Sequence, residues 1–201
     1  ATVSRSFRAW GSKVKVTQPL RDGETLKRAN RSLEVQLRPG HSPSDTCFWD
    51  ADRRILIAAD HLIKHISSNP LISRPLDGST ERRQALVEYI ESLKLTRELP
   101  AEIVLAGHGE PITDHAVLID QRFALHQRRA EKIYGLIAEQ PRTGYEVAQA
   151  LWGNVAVTQA FLTLSEVIGH VDLLTNAGHV REVEDGSLVR FEATAQTAAE
   201  D

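Results

Sequence analysis

The 201-residue chain has no methionine, one cysteine and only 5% aromatic residues. The lone cysteine, Cys47, excludes an internal disulfide framework and fits a reducing compartment, so the expected location is cytoplasmic. No run approaches 18 apolar residues, and no segment reads as spanning a membrane. No basic stretch followed by an apolar one marks a signal peptide. Charge of one sign is scarce too. With 24 Lys and Arg against 27 Asp and Glu, the net charge of −3 offers no broad attraction for nucleic acid. The chain opens on Ala1 rather than a start residue, so it is expected to be a piece of a longer protein.

What is present is ordinary for a globular chain: 41% hydrophobic and 25% charged, with enough length for a sizeable core. The charge is unevenly placed. Residues 143–201 carry Arg181 and Arg190 against nine carboxylates, a net −7, which leaves +4 for residues 1–142. Such a shift marks two modules.

Alternation predicts strands at 13–17 and 33–37 around the turn Asp22-Gly23, and short apolar runs at 46–49 and 55–58 around the polar turn Asp50-Ala51-Asp52-Arg53 predict a hairpin. Apolar residues three and four apart predict a helix over 80–95. A buried strand is expected at 103–106, followed by a long helix over 114–139 with Asp114 as its cap. Short helices are expected at 143–151 and within 155–176, then a hairpin around Asp185-Gly186. Helix, helix and hairpin in that order make a winged-helix arrangement.

Three side chains share one setting. His41 follows the strand 33–37 within Pro39-Gly40-His41-Ser42-Pro43, Asp60 follows the strand at 55–59, and His108 follows 103–106 within Gly107-His108-Gly109. Each sits just past the C-terminal end of a strand, and the flanking glycines let the backbone turn sharply. Imidazole nitrogen and carboxylate oxygen together suit zinc and neighbouring transition metals.

These motifs and their spacing resemble the second half of the metallo-β-lactamase superfamily. The companion stretches Pro19-Leu20-Arg21-Asp22-Gly23-Glu24 and Leu105-Ala106-Gly107-His108-Gly109-Glu110-Pro111-Ile112 are similar to that family's hydrolases. The segment from His126-Gln127-Arg128-Arg129 onward resembles the winged-helix tail of its beta-lactamase-like endoribonuclease branch. The resemblance implies an α/β fold, with one half of an αββα sandwich over 1–127 and a small winged-helix-like domain over 128–194; the Ala-, Thr- and Glu-rich tail over 195–201 is expected to be disordered. It implies that His41 ligates a first metal ion, that Asp60 bridges two, and that His108 ligates the second. Zinc is the expected metal, with iron and manganese as alternatives. In that family a metal-bound hydroxide attacks the substrate.

The family's upstream motif, His-x-His-x-Asp-His, is absent. The metal site in this chain is therefore expected to be incomplete, and the isolated chain inactive. An ester or thioester of a small molecule is the expected substrate of the intact enzyme. Cleavage of RNA or another phosphodiester, using Arg82, Arg83, Arg122, Arg128 and Arg129, is the first alternative. A non-catalytic packing or dimerisation module is the second. A half-sandwich leaves an apolar sheet face open, so a missing N-terminal half or a second copy in a homo-oligomer is expected to cover it.

His61 and His65, spaced i and i+4, would share a face on a helix and are candidates for the substrate cleft. His115, His126, His170 and His179 read as surface or packing residues, Cys47 as a small buried hydrophobe, and Ser42 as a loop hydrogen-bonder. The helix within 159–176 would enter a nucleic-acid groove, yet it carries Glu166 and Asp172 and no Lys or Arg. Nucleic acid is therefore not an expected partner.

Overall fold

A computed structural model of the chain describes residues 15–75, 78–155 and 159–194. The tail at 195–201 lies outside the described residues. Strands β1 (Thr25–Arg28), β2 (Arg31–Leu37), β3 (Thr46–Asp50) and β4 (Ile55–Ala59) form an antiparallel meander, and β5 (Ile103–Ala106) adds parallel to β4. The parallel step needs a crossover, and helix α1 (Ala85–Arg97) supplies it. Helices α2 (His115–Glu139), α3 (Gly144–Trp152) and α4 (Ala160–Asn176) follow, then the antiparallel hairpin β6 (Val180–Asp185) and β7 (Leu188–Ala193).

The first expected strand was misplaced. Residues 15–17 are not in a strand, and 13–14 lie outside the described residues. The Asp22-Gly23 turn closes no hairpin. Instead it docks along β2, where Asp22 Oδ1 accepts from Leu37 N at 2.7 Å and Gly23 N donates to Val35 O at 2.8 Å. The tight turn lies at Ala29-Asn30, with Ala29 in a left-handed conformation (φ 50°). The first helix starts at Ala85 rather than near 80.

Register sorts the sheet into two faces. Trp49, Leu56 and Val104 align on one, which with Cys47 and Ala58 packs on Leu86, Tyr89 and Leu93 of α1 and Ile119 of α2. Val35, Phe48, Ile57 and Leu105 align on the other. There Leu37, Ile103 and Leu105 are each more than a third exposed, Phe48 and Ile57 are half-buried, and none of these five joins a core. The strand at 103–106 is therefore buried on one side only.

A second core gathers Ile133 and Ile137 of α2 with Val147, Ala148, Val167, Val171 and Phe191. The boundary expected at 127/128 falls inside α2, whose first half packs on one core and whose second half packs on the other. Thr143 and Glu146 form a reciprocal capping box that starts α3, and Gly153 ends that helix at φ 55°. No described helix is long and apolar enough to cross a membrane.

Candidate metal centre

The loop after β2 carries His41. Gly40 precedes it with φ 151°, and a Cβ there would lie 2.5 Å from Tyr89 Cβ. Only glycine lets this loop press onto α1 so closely. His41 Nδ1 lies 3.0 Å from the carbonyl of Asn69. A carbonyl only accepts, so the proton sits on Nδ1 and the Nε2 lone pair is free.

Asp60 follows β4 through Ala59, a non-glycine residue held at φ 45° where the β4–β5 pairing shifts register. Such strain persists only where surrounding structure imposes it. Here Gly107 N, just past β5, donates to Ala59 O at 2.8 Å. Gly107 also makes room, because a Cβ there would overlap Asp60 Oδ1.

The three strand-end residues converge. Asp60 Oδ2 lies 3.9 Å from His41 Nε2, and Asp60 Oδ1 lies 3.5 Å from His108 Nε2. One carboxylate thus turns a different oxygen to each imidazole. The cluster is open to solvent, with side-chain exposures of 30% for His41, 37% for Asp60 and 74% for His108. The donor set fits a divalent transition metal on three observations: the nitrogens and oxygens suit it, the His41 tautomer leaves Nε2 free, and the Nδ1–H···carbonyl contact is one that metal-bound histidines make.

The cleft candidates part company. Residues 61–65 form no helix. His61 is 1% exposed, so its place in the cleft is corrected to a place in the core. Its Nε2 donates to Thr96 Oγ1 at 2.8 Å, its Nδ1 has no partner, and burial pushes its pKa down to about 3. His65 is exposed and lies beside the His108 loop, 4.0 Å from where a Gly109 Cβ would stand. With Ile112 and Val117 it lines a cavity of about 380 Å³.

His115, His126 and His170 are buried, and His179 is exposed. His126, Glu166 and His170 bring one donor atom each within 4.8 Å of one another. Their hydrogen bonds are already filled. His170 Nδ1 donates to the Glu166 carbonyl at 2.7 Å, His126 Nδ1 donates to His170 Nε2 at 3.3 Å, and Ser67 Oγ donates to His126 Nε2 at 3.4 Å. Arg129 faces the Glu166 carboxylate at 3.6 Å. Burial lowers both histidine pKa values, to about 4 for His126, so neutral rings form this chain. Sequence reasoning missed it because 44 residues separate the two rings.

Cys47 is fully buried, and burial raises its pKa to about 12. Ser42 bonds Asp45, with its backbone N 2.9 Å from Oδ2 and its hydroxyl 2.5 Å from Oδ1.

Comparison with known proteins matches this architecture. The fold aligns with a metallo-beta-lactamase family protein from Thermus thermophilus (TM-score 0.76, 24% identity, covering 96% of this chain and 65% of that one). It also aligns with a beta-lactamase domain protein from Burkholderia ambifaria (TM-score 0.81, 24% identity, 96% and 60%). The fold is thus that of the metallo-beta-lactamase superfamily, and residues 12–108 match that superfamily's sequence profile. The Bacillus subtilis protein named "Probable metallo-hydrolase YqjP" is 32% identical over 187 residues, covering 93% of this chain and 58% of that protein. An atrochrysone carboxyl ACP thioesterase of Aspergillus fumigatus is 25% identical over 145 residues, covering 72% and 41%. The chain spans about 58% of the first of these relatives' length and 41% of the second.

Proposed function

We propose that the chain carries one side of a divalent-metal hydrolase centre, with His41 and His108 as ligands of two ions and Asp60 between them. The observation that carries this reading is the Asp60 carboxylate turning one oxygen to each imidazole, at 3.9 and 3.5 Å. Zinc suits this donor set best. Bound divalent cations supply Lewis acidity, which polarises a carbonyl and lowers the pKa of water. The residues of this chain hold and aim. The Asn69 carbonyl sets the His41 tautomer, Gly107 leaves space for the carboxylate, and His65 lines the neighbouring groove.

The substrate class we favour is a small ester or thioester. Relatives named as thioesterases support it, including an acyl-coenzyme A thioesterase of Homo sapiens that is 39% identical over 62 residues. The unit formed by α3, α4 and the β6–β7 hairpin reads as a winged helix without a nucleic-acid role. The two acids of α4 are already paired: Asp172 with Arg82, and Glu166 with Arg129. Of the arginines a phosphodiester would need, Arg82 and Arg129 are taken up by the same pairs, Arg83 bonds Glu88 and Arg122 bonds backbone carbonyls, which leaves the exposed Arg128.

Three protein ligands leave two ions short of a usual set, and the open apolar sheet face calls for a further layer. Both fit a longer protein or a second copy that completes the site, in a cytoplasmic setting. The test is Zn²⁺ and Mn²⁺ titration of the wild type and of Asp60→Asn, alongside hydrolysis of acyl-coenzyme A and of RNA by the full-length protein. Metal binding that Asp60→Asn abolishes, with thioester turnover, is expected. Equal binding by both proteins, or RNA cleavage alone, refutes the reading.

A further inference from the structure

The groups that steady the candidate ligands converge on residues 63–72. The Ser68 hydroxyl donates to the Asp60 carbonyl, and the Asn69 carbonyl accepts from His41 Nδ1 at 3.0 Å. Leu71 N donates to the His41 carbonyl at 3.4 Å. On its other side the same loop is pinned by the later helices. Asn69 Nδ2 donates to Leu162 O at 3.2 Å, and Ile72 N donates to Ser165 Oγ at 3.2 Å, both on α4. Arg122 of α2 donates to the carbonyls of Ile63, Lys64 and Ile66 at 3.0–3.1 Å.

Asn69 joins the two sides within one residue. Its backbone touches His41 and its side chain touches the first turn of α4. Its Oδ1 is buried without a hydrogen-bond partner, a cost that an apolar residue chosen for stability alone would not carry.

We infer that Asn69 is a positioning residue for the metal centre, passing the rigidity of α4 to His41. This rests on the reading of His41 as a ligand and gives the C-terminal unit a part in the same site. The Nδ1–H···carbonyl bond fixes which nitrogen carries the lone pair and which way the ring faces. With the Nδ2 anchor gone, the carbonyl at 69 loses its direct tie to α4, and His41 is expected to sample both tautomers.

The test compares wild type, Asn69→Ala, the near-isosteric Asn69→Asp (which lacks the donor), and Gln84→Ala. The last removes the amide pair with Asn176 that also ties α1 to α4, at 2.9 and 3.4 Å, without touching the loop. Long-range ¹H–¹⁵N NMR of the metal-free chains reads the His41 tautomer, and Zn²⁺ titration reads affinity. Wild type and Gln84→Ala are expected to hold the Nδ1–H form. Both Asn69 variants are expected to show mixed tautomers and roughly 10- to 100-fold weaker Zn²⁺ binding. An unchanged tautomer in both Asn69 variants overturns the inference, as does equal damage from Gln84→Ala. If wild type binds no Zn²⁺, the metal reading fails, while the tautomer comparison still decides the role of Asn69.

Discussion

Gly107→Ala is the sharpest steric probe of the centre. Gly107 does not adopt a positive φ, so alanine meets no backbone strain there. The added methyl would instead overlap Asp60 Oδ1, with the Ala59 carbonyl carbon and Cα at 3.2 and 3.4 Å behind it. Carbon and oxygen need about 3.3 Å between them, so the carboxylate must move by about 1 Å. Asp60 is 37% exposed and can swing outward, so the stability change should stay below about 1 kcal/mol. The swing takes Oδ1 away from His108 and Oδ2 away from His41. Misplacement on that scale costs about 10²-fold in function, and metal affinity should fall by about 10- to 100-fold. Gly40→Ala makes the contrast. Its methyl meets Tyr89 Cβ and Cα at 2.5 and 2.6 Å and has φ 151°, so it should cost about 2 kcal/mol or more. Calorimetric Zn²⁺ titration with thermal unfolding separates the two. Wild-type affinity in Gly107→Ala would show that the seating of the Asp60 carboxylate is irrelevant to binding.

Acid should destabilise the fold through its buried imidazoles. His61 and His126 stay neutral when folded, near pKa 3 and 4, yet take up a proton near 6.5 when unfolded. Their contribution is full above pH 6.5 and is lost as pH falls towards 4, roughly 4 kcal/mol for the pair at pH 5. Urea unfolding from pH 7 to 5 checks this, and His61→Gln should flatten the slope. Arg82→Ala leaves the 5%-exposed Asp172 carboxylate without its bidentate partner, at 2.5 and 2.8 Å, and should cost about 3 kcal/mol. Chemical denaturation measures it, and Arg82→Ala/Asp172→Ala should recover part. If the open sheet face pairs with a second copy, Leu105→Lys should convert a dimer to a monomer by light scattering; an unchanged mass places the dimer contact elsewhere.

The sheet and the three strand-end residues were legible because each rests on a local rule. Short apolar runs around a polar turn placed β3 and β4, and glycine punctuation flagged the loops of His41 and His108. The Asp185-Gly186 turn was equally local. What failed was long-range. The strand expected at 13–17 alternated correctly, but β2 pairs with 25–28, because Asp22 commits its carboxylate to the Leu37 amide. His61 looked like a cleft residue because its i, i+4 spacing to His65 would share a helix face, and no helix forms there. Two positions past the end of β4 the chain packs against α1, where Tyr89 OH donates to the His61 carbonyl at 3.0 Å and the Tyr89 ring meets the imidazole edge-on. Asn69 carried no sequence signal, since its contacts reach His41, 28 residues away, through its backbone and Leu162, 93 residues away, through its side chain.

The acidic character of the C-terminal unit takes a different meaning from these contacts. Glu166 and Asp172, on a helix without a single cation, look in the sequence like a face that repels phosphate. In the fold both turn inward, to Arg129 and Arg82, and the same helix holds Asn69 and Ile72 through Leu162 and Ser165. A helix so committed has little freedom to enter a groove, and its charge is largely cancelled within the molecule. Besides its place in the second core, this helix meets the chain through four polar contacts, to Asn69 and Ile72 of the 63–72 loop, to Arg129 of α2 and to Arg82 before α1. If the centre is a metal site, the unit would act on it through these contacts, since a field from the remaining exposed charge is screened over about 8 Å at physiological salt.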